Sequence, residues 1–218
     1  MRLILHIGTE KTATTTLQHF LYDNRAALAA RGVGLSDVAG SPNNRRLAAY
    51  CQPDGRIDNF FRGRKIATPE DKAAFFAGFA EDLSAELAGL GTGTVILTSE
   101  HFHSRLIDRD SVQKLHDLLA PLFSEIRVLC WFREQAAVAR SLYSTAIKGG
   151  KTVGFDEFLD GCTPDSHRYN YHDSFRLWAD VFGADALVAR LFDRAAFVGG
   201  DIVTDFLDAA GIDPDGLA

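Results

Sequence analysis

Four short apolar runs, each trailed by an amphipathic stretch, constrain the fold of this chain more than any other feature. Leu3-Ile4-Leu5 with Ile7, TVILTSE (94–100), IRVLCWFRE (126–134) and ALVARLF (186–192) read as short buried strands. Helical spacing fills the gaps between them. It appears at Leu17, Phe20, Leu21 and Leu28, at Val112, Leu115 and Leu119, around Ser141-Leu142-Tyr143, and at Tyr171, Phe175, Trp178 and Phe182. Thr68-Pro69-Glu70-Asp71 is a capping-box pattern, predicting a helix through Phe76, Phe79, Ala80, Leu83 and Leu87 on one face. A last helix carries Ile202, Val203, Phe206 and Leu207 and stops at Gly211. Alternation of this kind predicts an α/β fold, a mainly parallel central sheet flanked by helices. No repeat and no low-complexity segment interrupts it, so residues 1–218 read as a single domain.

Bulk properties narrow the partners. A chain of 218 residues, 46% hydrophobic, can bury one proper core. Its net charge of −6 offers no global attraction to a nucleic-acid duplex or a membrane surface, and neither is expected as a partner. The N-terminal apolar run ends at Ile7, far short of the ~20 residues of a membrane span. Cys51, Cys130 and Cys162 are odd in number, widely spaced and without metal-type spacing, which points to a reducing, cytoplasmic setting. Residues 36–67 hold SPNNRR and FRGRK without clear periodicity and are expected to form a variable connection after a short apolar step at Gly32-Val33-Gly34-Leu35.

In parallel sheets, ligands bind where the carboxyl ends of the strands meet their connections. The first such end is HIGTEKTATTT (6–16), with five threonines, a lysine and a glycine between a strand and a helix N-terminus. One threonine would suffice as a helix cap. Five, which are poor helix formers, together with Lys11, predict an anion site, most naturally for phosphate. The second end presents Thr98, Ser99, Glu100, His101 and His103. The third presents Arg133, with Ser141 eight residues on.

At this point the residues resemble a family. HIGTEKTATTTLQ is similar to the 5′-phosphosulfate loop of sulfotransferases, usually close to K-T-G-T-T, and WFREQAAVARSLYS resembles the same family's 3′-phosphate site. The wording resembles the bacterial branch, with R-x-Q then S-x-Y, the Tyr-centred RYNYHDSF and the ending DIVTDFLDAAGI. The resemblance implies a three-layer fold like that of P-loop nucleotide kinases. It also implies metal-free transfer of a sulfuryl group from 3′-phosphoadenosine 5′-phosphosulfate (PAPS), leaving adenosine 3′,5′-bisphosphate. The acceptor would be a hydroxyl or amine of a small molecule, carbohydrate or lipid. Two rivals stay open: a nucleotide-binding module of this kind without transfer, and a P-loop kinase. The kinase motif needs glycines where Glu10 and Leu5 stand.

The donor's two anionic ends match two anion sites. Lys11 would face the 5′-phosphate and its bridging oxygen, where charge grows as the sulfuryl group leaves, with Thr12, Ala13, Thr14 and Thr15 adding donors. Arg133 would fork onto the 3′-phosphate with Ser141 beside it. Ala13 stands where the family usually has glycine, so the loop must avoid positive φ there or accept strain. Glu10 is expected to point away, toward solvent or acceptor. Glu100 is the first choice for general base, with His101 and His103 as rivals. His6 reads as a core histidine, and His116 and His172 as helix residues without a catalytic task. The basic residues of 43–46 and 61–65, with Phe60, Phe61 and Tyr50, could hold an anionic or aromatic acceptor, although charge runs are usually solvated faces.

Overall fold

A computed structural model describes residues 1–217 and arranges them around a five-stranded sheet. The chain runs β1 (Arg2–His6), α1 (Thr14–Asp23), α2 (Arg25–Ala29), β2 (Val33–Leu35), α3 (Arg45–Cys51), α4 (Asn59–Arg62), α5 (Pro69–Phe75) and α6 (Phe79–Gly89). It continues as β3 (Thr94–Thr98), α7 (Glu100–Arg105), α8 (Arg109–Leu119), β4 (Glu125–Phe132), α9 (Gln135–Lys148) and α10 (Phe155–Leu159). Helix α11 (Tyr171–Phe182), β5 (Leu187–Leu191) and α12 (Ile202–Ala210) complete it. The strands lie in the order β2-β3-β1-β4-β5, and every pairing is parallel. The four apolar runs are β1, β3, β4 and β5, and the short step at 32–35 adds the edge strand β2.

Alternate residues of each strand feed two cores. Leu3, Leu5, Val95, Leu97, Val128 and Cys130 face one side and pack with residues of α3, α6, α8 and α11, including Trp178. Ile4, Ile96, Leu129 and Trp131 face the other and meet α1, α2 and α12. Helices thus cover both faces, giving three layers, as expected for a parallel sheet. His6, fully buried, ends β1: its Nδ1 hydrogen-bonds with Thr98 Oγ1 (2.8 Å), and its ring sits edge-on to Trp131 and Phe206. Burial pushes its pKa down to about 3, so it is a neutral core residue.

Two expectations need correction. The predicted helix from Pro69 to Leu87 is two helices, because Gly78 adopts φ +74 between α5 and α6. The Thr68–Asp71 capping box does form, with reciprocal hydrogen bonds. Residues 36–67, expected as a variable connection, hold two short helices: α3 buries Leu47, Ala48, Ala49 and Cys51, and α4 buries Phe61. The basic run does not form one surface. Arg45 is largely buried against Asp58 and Arg46 lies over Phe79, while Arg62, Arg64 and Lys65 stay exposed. Phe61 is core, and Tyr50 packs on Phe76 and Phe79 outside the lining of the strand-end cavity described below. Helices α7 and α10, six and five residues long, are too short for periodicity to reveal.

Candidate functional site

Strand β1 is central, flanked by β3 and β4, and the chain crosses from one side of it to the other. This is the switch point at which α/β sheets open a crevice. A cavity of about 530 Å³ lies there, lined by Glu10, Lys11, Ala13, Thr14, Thr15, Glu100, His101, Arg133, Ser141, Leu142, Thr145 and Phe192. All three strand-end segments meet in it.

The β1–α1 loop is curled unusually tightly. Gly8, Lys11 and Ala13 have φ of +48, +70 and +56. Gly8 is required, because a Cβ there would stand 2.8 Å from Thr14 Cγ2 on top of an unfavourable φ. Lys11 and Ala13 accept the left-handed strain that an L side chain ordinarily avoids; such strain gathers at ligand-binding turns. Ala13 is the N-cap of α1 and offers no side-chain cap, and the first turn holds no acidic residue. By contrast, Ser99 caps α7 and Glu134 caps α9. Helix α1 therefore brings uncapped N–H groups and its dipole to the crevice wall formed by Ala13, Thr14 and Thr15.

Two cations flank that helix end. Lys11 Nζ donates to Thr145 Oγ1 at 2.7 Å. Arg133 Nη1 donates to the Lys11 carbonyl at 3.0 Å, and its guanidinium lies 5.6 Å from the Phe192 ring centre. Neither cation has a carboxylate within ion-pair distance among the described residues. Ser141 joins Arg133 because α9 starts at Gln135 and carries it two turns along.

The opposite wall is acidic and imidazole-bearing. Glu100 Oε2 accepts from Gln18 Nε2 at 2.8 Å, and its Oε1 is 3.6 Å from His101 Nε2. Burial lowers the His101 pKa more than Glu100 raises it, and Arg45 and Arg105 lower it further, so this imidazole is neutral. Glu10 pairs with Arg168 at 2.8 Å rather than pointing to solvent. The 167–171 segment also holds the other strand-end loops. His167 Nε2 is 2.9 Å from the His103 carbonyl, and Tyr171 donates to the Arg133 carbonyl at 2.7 Å.

Two expected site residues stand outside the crevice lining. His103 is buried, with Nε2 hydrogen-bonded to Ser174 Oγ (2.8 Å) and its ring against His167. Burial takes its pKa to about 3. Thr12, also buried, donates to the Thr9 carbonyl at 2.7 Å and braces the loop from within. Four residues that line the crevice or hold its lining side chains escaped the sequence reading. Gln18 and Thr145 had a signal, lying four positions after Thr14 and Ser141 and so on the same helix faces. Phe192 follows β5 directly, but nothing local marks Arg168.

Comparison with known proteins bears on the scaffold. No family model matches the chain. The crystal structure of a sulfotransferase from Alicyclobacillus acidocaldarius aligns with 98% of this chain and 82% of that one, with a TM-score of 0.57 and 17% identity. The chain has a sulfotransferase-like fold. An 87-residue stretch, 40% of the chain, is 26% identical to an uncharacterized protein of Archaeoglobus fulgidus and spans 23% of that relative's length. Among the described residues, no helix is long and apolar enough to cross a membrane.

Proposed function

We propose that this protein is a sulfotransferase that moves a sulfuryl group from PAPS to a hydroxyl or amine of a small-molecule, carbohydrate or lipid acceptor. The observation that carries the reading is one crevice in which an uncapped helix N-terminus and two cations without carboxylate partners, Lys11 and Arg133, face the carboxylate Glu100. The residues fit a ligand anionic at two ends. The strained loop turns its donors inward, and Arg133, clasped to the Lys11 carbonyl, adds a second set of donors beside it with Ser141.

The donor supplies an activated sulfuryl group whose bond to the 5′-phosphate oxygen breaks as the bond to the acceptor forms. Lys11 neutralises the charge that develops on that oxygen, once its ammonium leaves Thr145. The α1 N–H groups and the Thr14 and Thr15 hydroxyls hold the phosphate, and Arg133 turns its remaining N–H edge to the 3′-phosphate. Glu100 takes the acceptor's proton, and Gln18 fixes the carboxylate's orientation. His101, neutral at 3.6 Å, adds no competing cation.

Calorimetry tests the reading. Adenosine 3′,5′-bisphosphate is expected to bind more tightly than ATP with magnesium, and a chelator is expected to leave that binding unchanged. Tighter, magnesium-dependent ATP binding would sink the proposal in favour of a P-loop kinase.

A further inference from the structure

We propose that the Glu10–Arg168 pair reads the acceptor and selects an uncharged ligand with neighbouring hydroxyls, a carbohydrate or polyol, an inference that rests on the sulfotransferase reading above. The two sides of the crevice differ in charge. On the donor side, Lys11 and Arg133 are held by a hydroxyl and a backbone carbonyl, so both positive charges are uncompensated. On the acceptor side, the charged groups that line the cavity are two carboxylates, Glu10 and Glu100. Arg168 pairs with Glu10, while Arg45 and Arg105 share Asp58 and act on His101 without lining the cavity. An anionic acceptor would have to approach both of the lining carboxylates, with Arg168 already paired to Glu10.

The pair's own hydrogen bonds define what it can recognise. Arg168 Nε donates to Glu10 Oε2, and no other hydrogen bond of either side chain is present among the described residues. Glu10 Oε1 remains as an acceptor beside the Nη donor edge of a planar guanidinium. One hydroxyl can donate to Oε1 while its neighbour accepts from Nη, which a vicinal diol satisfies and an isolated phenol does not. The pair is also pre-positioned. Glu10 precedes Lys11 and lines the cavity with Glu100 and His101. Arg168 sits between His167, bound to the His103 carbonyl and Ser174, and Tyr171, bound to the Arg133 carbonyl. Such anchoring reduces the ordering cost of binding.

Methyl β-D-glucopyranoside and methyl β-D-glucopyranosiduronate differ at one carbon, a hydroxymethyl against a carboxylate, and make a matched pair of probes. Each is titrated into enzyme saturated with adenosine 3′,5′-bisphosphate, with binding read by saturation-transfer NMR. The neutral glucoside is expected to bind at least about fivefold more tightly. Glu10→Gln and Arg168→Gln are each expected to weaken it about tenfold, with bisphosphate binding as the check that each variant is folded. Absent glucoside binding, tighter glucuronide binding, or unchanged glucoside affinity in both folded variants overturns the proposal alone. A wild type that fails to bind the bisphosphate overturns the sulfotransferase reading and this proposal with it.

Discussion

Replacing Arg133 with alanine should separate two tasks that the structure gives to one side chain. Its Nη1 clasps the Lys11 carbonyl at 3.0 Å, and its remaining N–H groups are available to a 3′-phosphate. A hydrogen bond to a charged group is worth roughly 1.5–3 kcal/mol, so wild type should prefer adenosine 3′,5′-bisphosphate over 5′-AMP by about 10- to 100-fold. The clasp is an ordinary hydrogen bond of roughly 0.5–1.5 kcal/mol, and its loss loosens the loop for both ligands. Arg133→Ala should therefore weaken 5′-AMP by about 2- to 10-fold and the bisphosphate by the product of both effects. The preference should collapse to within about threefold, the residue left to Ser141. Arg133→Lys should fall between, because one ammonium keeps the charge but cannot serve the carbonyl and fork onto the phosphate together. Titration calorimetry of both ligands against the three proteins, at one fixed ionic strength, gives six affinities and one preference ratio for each protein. Equal wild-type affinity for the two ligands would refute a second anion site. Equal weakening of both ligands by Arg133→Ala would reduce Arg133 to a clasp.

Three further outcomes follow from the same geometry. Lys11→Ala should cut turnover on the order of 10²-fold or more while weakening bisphosphate binding far less, because its charge partner develops during transfer; equal losses would mean that Lys11 only anchors the ground state. Ala13→Gly should stabilise the fold by about 0.5–1 kcal/mol, or roughly 1–4 °C in Tm, by relieving φ +56 at the α1 N-cap, and a lower Tm would show that this strain is absent. His6 and His103 have folded pKa values near 3 against an ordinary 6.5, so the unfolded chain binds more protons between those values and stability rises with pH through that window. The fall from pH 7 to 5 should be about 2 kcal/mol per histidine in urea unfolding, and His103→Gln should remove its share; an unchanged slope would contradict a neutral buried imidazole.

Layer order and strand ends were legible because buried parallel strands write themselves as continuous apolar runs, and the helices between them repeat every three to four residues. Both signals are local. The convergence of Lys11, Glu100, Arg133 and Ser141 followed from one topological rule about the ends of parallel strands. Local periodicity also misled at Gly78, where two helices share one apolar stripe and the break leaves their spacing intact.

The amino-acid sequence by itself determined the α/β class, the order of the four main strands and the longer helices, and a donor-rich turn behind β1. Only the tertiary structure decided which partner each polar side chain keeps. Gln18 meets Glu100 across 82 residues, Lys11 meets Thr145 across 134 and Glu10 meets Arg168 across 158. It also turned Arg45 inward toward Asp58 and His103 away from the crevice that His101 lines. The physical reason is range. Helix and strand patterns are set by neighbours within a few residues, whereas a hydrogen bond or ion pair forms wherever packing of the whole sheet brings two groups within about 3 Å.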